Sequence, residues 1–290
     1  MNGIIVASAT PYNEDGLFNP SVLEELMRRH IKEGAAGFFA GGSAGECMLL
    51  TENERIEVFE TACGFNKETQ IIAHVAAIST NEAVRYAKAA KSFGAQYIAA
   101  APPTFYRFSN AQIAQYYYDI SDSVDMPVMI YNFPGNTGRT FDLNDANIRT
   151  LIKSDKIWGI KHTDLNLYLF ERIHALNPKL VLMNGYDETM IPGLSLGASG
   201  SIGSTFNVML PHYLKIYNSY HAGEFDSIME MQTKANNIME AFCNVGLIAA
   251  IKHVLTEQGF DVGEPRRPFT PLTKEQKESI MKVFNENVIV

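Results

Sequence analysis

Lys161 ends a short apolar run, Lys156-Ile157-Trp158-Gly159-Ile160-Lys161, with a polar turn, Thr163-Asp164-Leu165-Asn166, just beyond it. This pattern predicts a buried strand that delivers an amine at its inner end. An ammonium is rarely buried without a partner, because leaving water costs it more than apolar packing returns. Burial therefore favours the neutral amine, and a neutral amine is a nucleophile that condenses with carbonyls to a Schiff base. On this stretch alone, a lysine that snorkels out of the strand end or pairs with a nearby acid is the slightly favoured reading, and the rest of the chain reverses that order.

Other polar groups fall at comparable places, each just after an apolar run. Gly41-Gly42-Ser43-Ala44-Gly45-Glu46 is a glycine-rich turn. Its backbone N–H groups and the Ser43 hydroxyl could hold a carboxylate or phosphate, although tight turns of this composition also occur without a ligand. Tyr131, in Tyr131-Asn132-Phe133-Pro134-Gly135, offers a phenol able to shuttle a proton. Asp187 and Glu188, in Asn184-Gly185-Tyr186-Asp187-Glu188, could cap a helix or bind substrate hydroxyls. Gly200-Ser201-Ile202-Gly203-Ser204-Thr205 has the small residues of a phosphate loop but no adjacent lysine or arginine. By alternation His162 points away from Lys161, and neither it nor His74 belongs to a metal-spaced set. An anion cradle, a phenol, a buried amine and paired acids suit aldol chemistry on a 2-keto acid. The cradle takes the carboxylate, Lys161 forms the imine, and the imine serves as the electron sink.

These groups need a scaffold, and short apolar runs alternate with amphipathic segments along most of the chain. Strands are expected at Ile4–Ala7, Gly37–Gly41, Ile71–Val75, Tyr97–Ala100, Val128–Tyr131, Lys156–Lys161, Leu180–Met183 and Gly200–Gly203. Between them, helices are expected from Ser21 to Glu33, from a capping box at Thr51 to about Phe65, and from Thr80 to Phe93. Further helices run from a cap at Ser109 to Ser123, from Asp142, from about Leu165 to Leu176, and briefly after Asp187. This order predicts an α/β fold, a closed (β/α)₈ TIM barrel over residues 1–221, with a doubly wound sheet as the alternative. Helices at Glu224–Phe242, Val245–Gly259 and Lys274–Phe284, with a stiff connector at Gly263–Pro268, form a C-terminal helical extension over 222–290 packed on the barrel.

Composition narrows the partners. The 290 residues are 46% hydrophobic and 19% charged, with a formal charge of -8 and no basic run. Nucleic acid and anionic membrane surfaces are therefore not expected as partners. Cys47, Cys63 and Cys243 form neither a disulfide framework nor a zinc motif. No leader pattern opens the chain, and no apolar run reaches the roughly 20 residues of a membrane span. A cytoplasmic protein follows as an expectation.

The chain resembles the pyruvate-dependent class I aldolases of the dihydrodipicolinate synthase/N-acetylneuraminate lyase family. The markers are Gly42-Ser43-Ala44-Gly45-Glu46, Tyr131-Asn132-Phe133-Pro134, Gly159-Ile160-Lys161-His162-Thr163 and Gly185-Tyr186-Asp187-Glu188. The resemblance implies Lys161 as the Schiff-base lysine, Tyr131 as proton relay, and Ser43 with the Ala44 backbone as the site for the pyruvate carboxylate. It also implies a homotetramer with no metal or organic cofactor. The segments at 184–188, 200–207 and 263–269 look most like the N-acetylneuraminate lyase branch. There, Thr163, Gly185, Asp187, Glu188 and Ser204 would contact the chain of a sugar acid. The synthase branch places an arginine where this chain has Asn136, with Arg139 three residues on. Two positions depart from the family pattern: Ala44 replaces a hydroxyl residue, and Phe105 aligns with a relay tyrosine supplied across a subunit contact, next to Tyr106. Dihydrodipicolinate synthase, a 2-keto-3-deoxygluconate-type aldolase and an inactive keto-acid sensor are the alternatives to a sialate lyase.

Overall fold

The computed structural model describes residues 1–289, and its strands close into a barrel in sequence order, β1 through β8. They are β1 (Gly3–Ala7), β2 (Gly37–Ala40), β3 (Gln70–His74), β4 (Tyr97–Ala100), β5 (Val128–Asn132), β6 (Ile157–His162), β7 (Val181–Asn184) and β8 (Gly200–Gly203). All neighbours are parallel, and β8 pairs with β1 from Gly3↔Gly200 to Val6↔Gly203. That last pairing closes the sheet on itself and so excludes an open doubly wound sheet, which has two unpaired edge strands.

The helices around the barrel are α1 (Pro20–Glu33), α2 (Glu52–Cys63), α3 (Thr80–Ser92), α4 (Asn110–Val124), α5 (Pro134–Thr137), α6 (Ala146–Lys153), α7 (Leu167–Leu176), α8 (Met190–Ser195) and α9 (Phe206–Ala222). Most of them, α1 to α4, α6 and α7, begin where a side chain satisfies one of their first N–H groups. Thr51 with Glu54, and Ser109 with Gln112, form reciprocal capping boxes for α2 and α4. The start expected at Asp142 is displaced. Asp142 instead accepts from the N–H and side-chain amide of Asn144 in a turn, and Asp145 caps α6 through Asn147 and Ile148. Two aspartates with equal capping chemistry stand three residues apart, and the nearer one is used by the turn.

No helix is assigned directly after β8 from the sequence, and α9 shows why its pattern is obscure. It is kinked at Met209, two residues before Pro211. Proline has no N–H for the carbonyl four residues back and crowds it. That carbonyl, of Asn207, accepts instead from Arg29 Nη2 and His30 Nε2 of α1, both at 3.0 Å. Burial holds His30 near pKa 3, so its ring is a neutral donor.

Three helices follow: α10 (Phe225–Val245), α11 (Leu247–Glu257) and α12 (Lys274–Asn287). Helices α10 and α11 reach the end of the barrel that carries the site, and α12 packs on them. From α10, Gln232 donates to the Asp187 carbonyl and Asn236 to the Glu188 carbonyl. Among the described residues, no single helix is long and apolar enough to cross a membrane.

Candidate active site

A cavity of about 540 Å³ opens at the C-terminal ends of the strands, the end where barrels of this kind carry their chemistry. Ser43, Ala44, Tyr131, Lys161, Thr163, Gly185, Asp187, Glu188 and Ser204 all line it, so the structure brings these nine candidate site residues to one space, whereas Phe105 and Tyr106 lie outside its lining. A larger depression of about 790 Å³ lies outside the barrel between α6 and α7. It is lined by surface groups such as Asp142, Arg149 and Arg172, and no buried ionisable side chain faces it.

Lys161 is 4% exposed and paired in register with Tyr131 on the adjacent strand. Its Nζ lies 4.2 Å from the centre of the Tyr131 ring and 4.5 Å from that of Phe39. Burial lowers its pKa to about 7, with the Asp187 carboxylate and then Cys47 pulling the other way. A lysine shifted downward gains its neutral, nucleophilic form as pH rises through that value. Adduct formation with a carbonyl compound should therefore climb through about pH 7 and then level off. Borohydride trapping across a pH series checks this; a rate still climbing at about pH 9 would mark an ordinary, solvated lysine.

Tyr131 is fully enclosed, stacked on Phe133 at 5.7 Å with the edges of Phe39 and His74 at 5.6 Å. Burial raises its pKa, against the lowering influence of the Ser43 and Thr163 hydroxyls. The group is thus a protonated phenol at neutral pH. The Thr163 hydroxyl reaches no well-aligned partner, and its place against β7 depends on Gly185, where a Cβ would come within 1.9 Å of Oγ1.

The turn after β2 winds into a single 3₁₀ turn, Ser43–Gly45. Gly45, Glu46 and Cys47 donate their N–H groups back to Gly42 and Ser43. The Ser43 and Ala44 N–H groups, first in the turn, have no acceptor among the described residues. They are therefore free for an anion, as a carboxylate cradle requires.

Asp187 and Glu188 differ in what they can offer. Asp187 is 2% exposed, and its Oδ2 accepts from the Thr205 N–H at 2.8 Å and the Thr205 hydroxyl at 2.6 Å. Gly203 makes room for it, since a Cβ there would lie 2.1 Å from Oδ1. Glu188 is half-buried, its Oε2 has no partner, and burial followed by the neighbouring Asp187 charge raises its pKa.

The histidines are structural. His162 accepts from the Asn132 amide at Nδ1, donates from Nε2 to the Asn166 carbonyl, and stacks on Phe170. His74 donates to the Gly41 carbonyl and holds neutral at about pKa 3 through burial. Among the described residues, no group of three His, Cys, Asp or Glu side chains is placed to hold a metal ion. Asn136 lines the cavity, whereas the Arg139 guanidinium lies outside its lining and donates to the Phe108 carbonyl at 2.6 Å.

Much of the remaining wall is apolar and was not anticipated: Met239 and Cys243 of α10, Leu247, Ile248 and Ile251 of α11, and Phe269 beyond them. One signal was present. Lys252 interrupts the apolar run Leu247–Leu255, the same anomaly that marks Lys161.

Fold and site define a barrel enzyme of carbonyl chemistry with an anion-holding turn beside a reactive amine. The model of the dihydrodipicolinate synthetase family matches residues 1–287, and the chain belongs to that family. It is 35% identical over 285 residues to N-acetylneuraminate lyase 2 of Escherichia coli O6:H1, covering 97% of this chain and 92% of that protein. It is 34% identical to N-acetylneuraminate lyase of Clostridium perfringens strain SM101, covering 98% of each. Among solved structures, CdNal from Clostridium difficile in complex with mannosamine superposes with a TM-score of 0.94 at 32% identity, covering 99% of both chains. N-acetylneuraminate lyase from Fusobacterium nucleatum gives 0.92 at 32% identity, over 100% of this chain and 99% of that one. The chain is a carbon–carbon lyase of the pyruvate-dependent aldolase class.

Proposed function

We propose that the protein is an N-acetylneuraminate lyase-like enzyme that cleaves a sugar-derived 2-keto acid to pyruvate and an aldehyde through a Schiff base at Lys161. The observation that carries this is the in-register pair of Lys161 and Tyr131 in a cavity that also holds the free Ser43 and Ala44 N–H groups. Neutral Lys161 attacks the keto carbon, and Tyr131 gives its proton to the hydroxyl that leaves as water. The phenolate formed beside the iminium then takes the proton from the hydroxyl on the far carbon of the bond to be broken. That bond's electrons pass into the iminium to give an enamine, and protonation and hydrolysis release pyruvate.

The branch assignment draws on the relatives' names and on Asn136. No guanidinium stands where the synthase reaction needs one, because Arg139 is engaged with Phe108. A panel of sialate, 2-keto-3-deoxygluconate, and aspartate semialdehyde with pyruvate should show pyruvate release fastest from sialate. Faster consumption of pyruvate with aspartate semialdehyde would overturn the assignment.

Glu188, with its unpartnered Oε2, is the acid best placed to hold a substrate hydroxyl. A hydrogen bond to a charged group contributes about 1.5–3 kcal/mol, so Glu188→Ala should lower kcat/KM for sialate roughly 10–150-fold. Pyruvate trapping at Lys161 should stay near wild type, and an equal loss in both assays would show that Glu188 acts on the cavity as a whole.

The same reading carries a cytoplasmic homotetramer. Met48, Ile78, Phe105, Tyr106, Leu165 and Tyr168 are large apolar side chains left exposed on the single chain, the kind of surface a partner subunit covers. Phe105, at φ +75°, brings no hydroxyl to such a contact.

A further inference from the structure

Directly behind the Ser43–Ala44 turn sits a buried charge network that the aldol chemistry above does not use. Glu46 follows the turn in the left-handed region, at φ +56°, and its N–H closes the turn onto the Ser43 carbonyl at 3.0 Å. Its Oε1 forms an ion pair with Lys252 Nζ of α11 at 3.1 Å, and the two side chains are 0% and 1% exposed. Its Oε2 accepts the Arg266 N–H at 2.7 Å. Both oxygens are thus held by the C-terminal segment, more than 200 residues away in sequence.

The holders are themselves fixed. Lys252 Nζ lies 3.8 Å over the Tyr12 ring and donates to the Glu264 carbonyl at 3.3 Å. Arg266 covers the same ring at 4.5 Å and donates through Nη1 to Glu54 at 2.8 Å and to the Leu49 carbonyl at 2.9 Å. Glu54 is also the capping-box residue of α2. From the other side, Thr10 Oγ1 donates to the Gly45 carbonyl at 2.7 Å. A left-handed non-glycine residue and a fully buried ion pair are both costly features, and they are kept here beside a turn whose first N–H groups are free.

We propose that Glu46 is the positioning residue of the Ser43–Ala44 turn, and that Lys252 and Arg266, by holding its carboxylate, let the C-terminal helices set how tightly the keto acid's carboxylate is gripped. This rests on the reading that the turn binds that carboxylate. An N–H pair must be aimed within a fraction of an ångström to serve as a cradle, and it is aimed by what fixes its own backbone.

The test titrates pyruvate against wild type and Lys252→Met, adds borohydride, and quantifies the reduced adduct on Lys161 by mass spectrometry. Lys252→Met should raise the half-saturating pyruvate concentration by about tenfold, while the trapping rate at saturation changes far less. Glu46→Gln/Lys252→Met removes both charges together and leaves no unpaired buried charge, so it should melt no lower than the single variant yet keep the weakened half-saturation. Coupling is reciprocal, so fixing pyruvate on wild-type Lys161 should slow hydrogen exchange in the peptide containing the Arg266 N–H. Wild-type half-saturation in a folded Lys252→Met or double variant overturns the inference, even if melting falls, and so does unchanged exchange at Arg266. No wild-type adduct at any pyruvate concentration would overturn the aldolase reading itself and the inference with it. A wild-type adduct with unshifted variants overturns the inference alone.

Discussion

Lys161→Met should abolish the borohydride-fixed pyruvyl adduct and, at neutral pH, make the protein more stable. The first effect follows because methionine has no nucleophilic nitrogen, while its length fills the same space over Phe39 and Tyr131. The second follows from linkage. An unfolded lysine titrates at 10.5 and Lys161 at about 7, so the unfolded chain holds more protons between those values. Wild-type stability therefore rises with pH across that window, and the protein is at its disadvantage at and below about pH 7. Removing the amine lifts a cost on the order of 2–4 kcal/mol at neutral pH. Thermal unfolding near pH 7 should show a higher Tm for Lys161→Met, and the gap should narrow as the solution is made alkaline. A variant that melts below wild type at pH 7, or a pyruvyl adduct appearing on another lysine, would sink the argument.

That one lysine stands out in the sequence because its signal is local, an ionisable residue ending an apolar run, although its role followed only with the polar groups that end the other runs. Thr51 and Ser109 are legible for the same reason, since each cap and its partner lie within one turn. Parallel closure was reachable too, through the repeated alternation of strand and helix. What stayed hidden is what depends on distance along the chain. Asp187 is tied to Thr205, eighteen residues on, and nothing in Gly185-Tyr186-Asp187-Glu188 distinguishes the engaged acid from the freer Glu188. Glu46 forms one cluster with Lys252 and Arg266 of the remote C-terminal segment, and a charge pair across such a gap leaves no periodicity to detect. The same holds for the α10–α11 wall: an amphipathic helix announces an apolar face but not the cavity that the face will line. At Asp142 and Asp145 even local chemistry was ambiguous, because either could cap.

Tyr131→Phe is the second large effect, and it separates binding from proton transfer. Phenylalanine keeps the ring stacked on Phe133 and edge-on to Phe39 and His74, so the cavity wall and the support beneath Lys161 should survive. What is lost is a hydroxyl that burial keeps protonated, facing the hydroxyls of Ser43 and Thr163. Both chemical steps assigned to it need that hydroxyl: it gives its proton in the dehydration to the imine, and as phenolate it takes one from the hydroxyl next to the breaking bond. Losing a positioned acid–base group typically costs about 10²–10⁴-fold in rate. We expect kcat for sialate cleavage, and the single-turnover rate of imine formation with pyruvate, to fall by that factor while substrate affinity changes little. The alkaline limb of the wild-type profile should also lie well above neutrality, because a phenol with a raised pKa does not ionise where Lys161 becomes neutral. If Tyr131→Phe turns over near the wild-type rate, the phenol is packing only. The Ser43 and Thr163 hydroxyls would then be the groups left within reach to carry the proton.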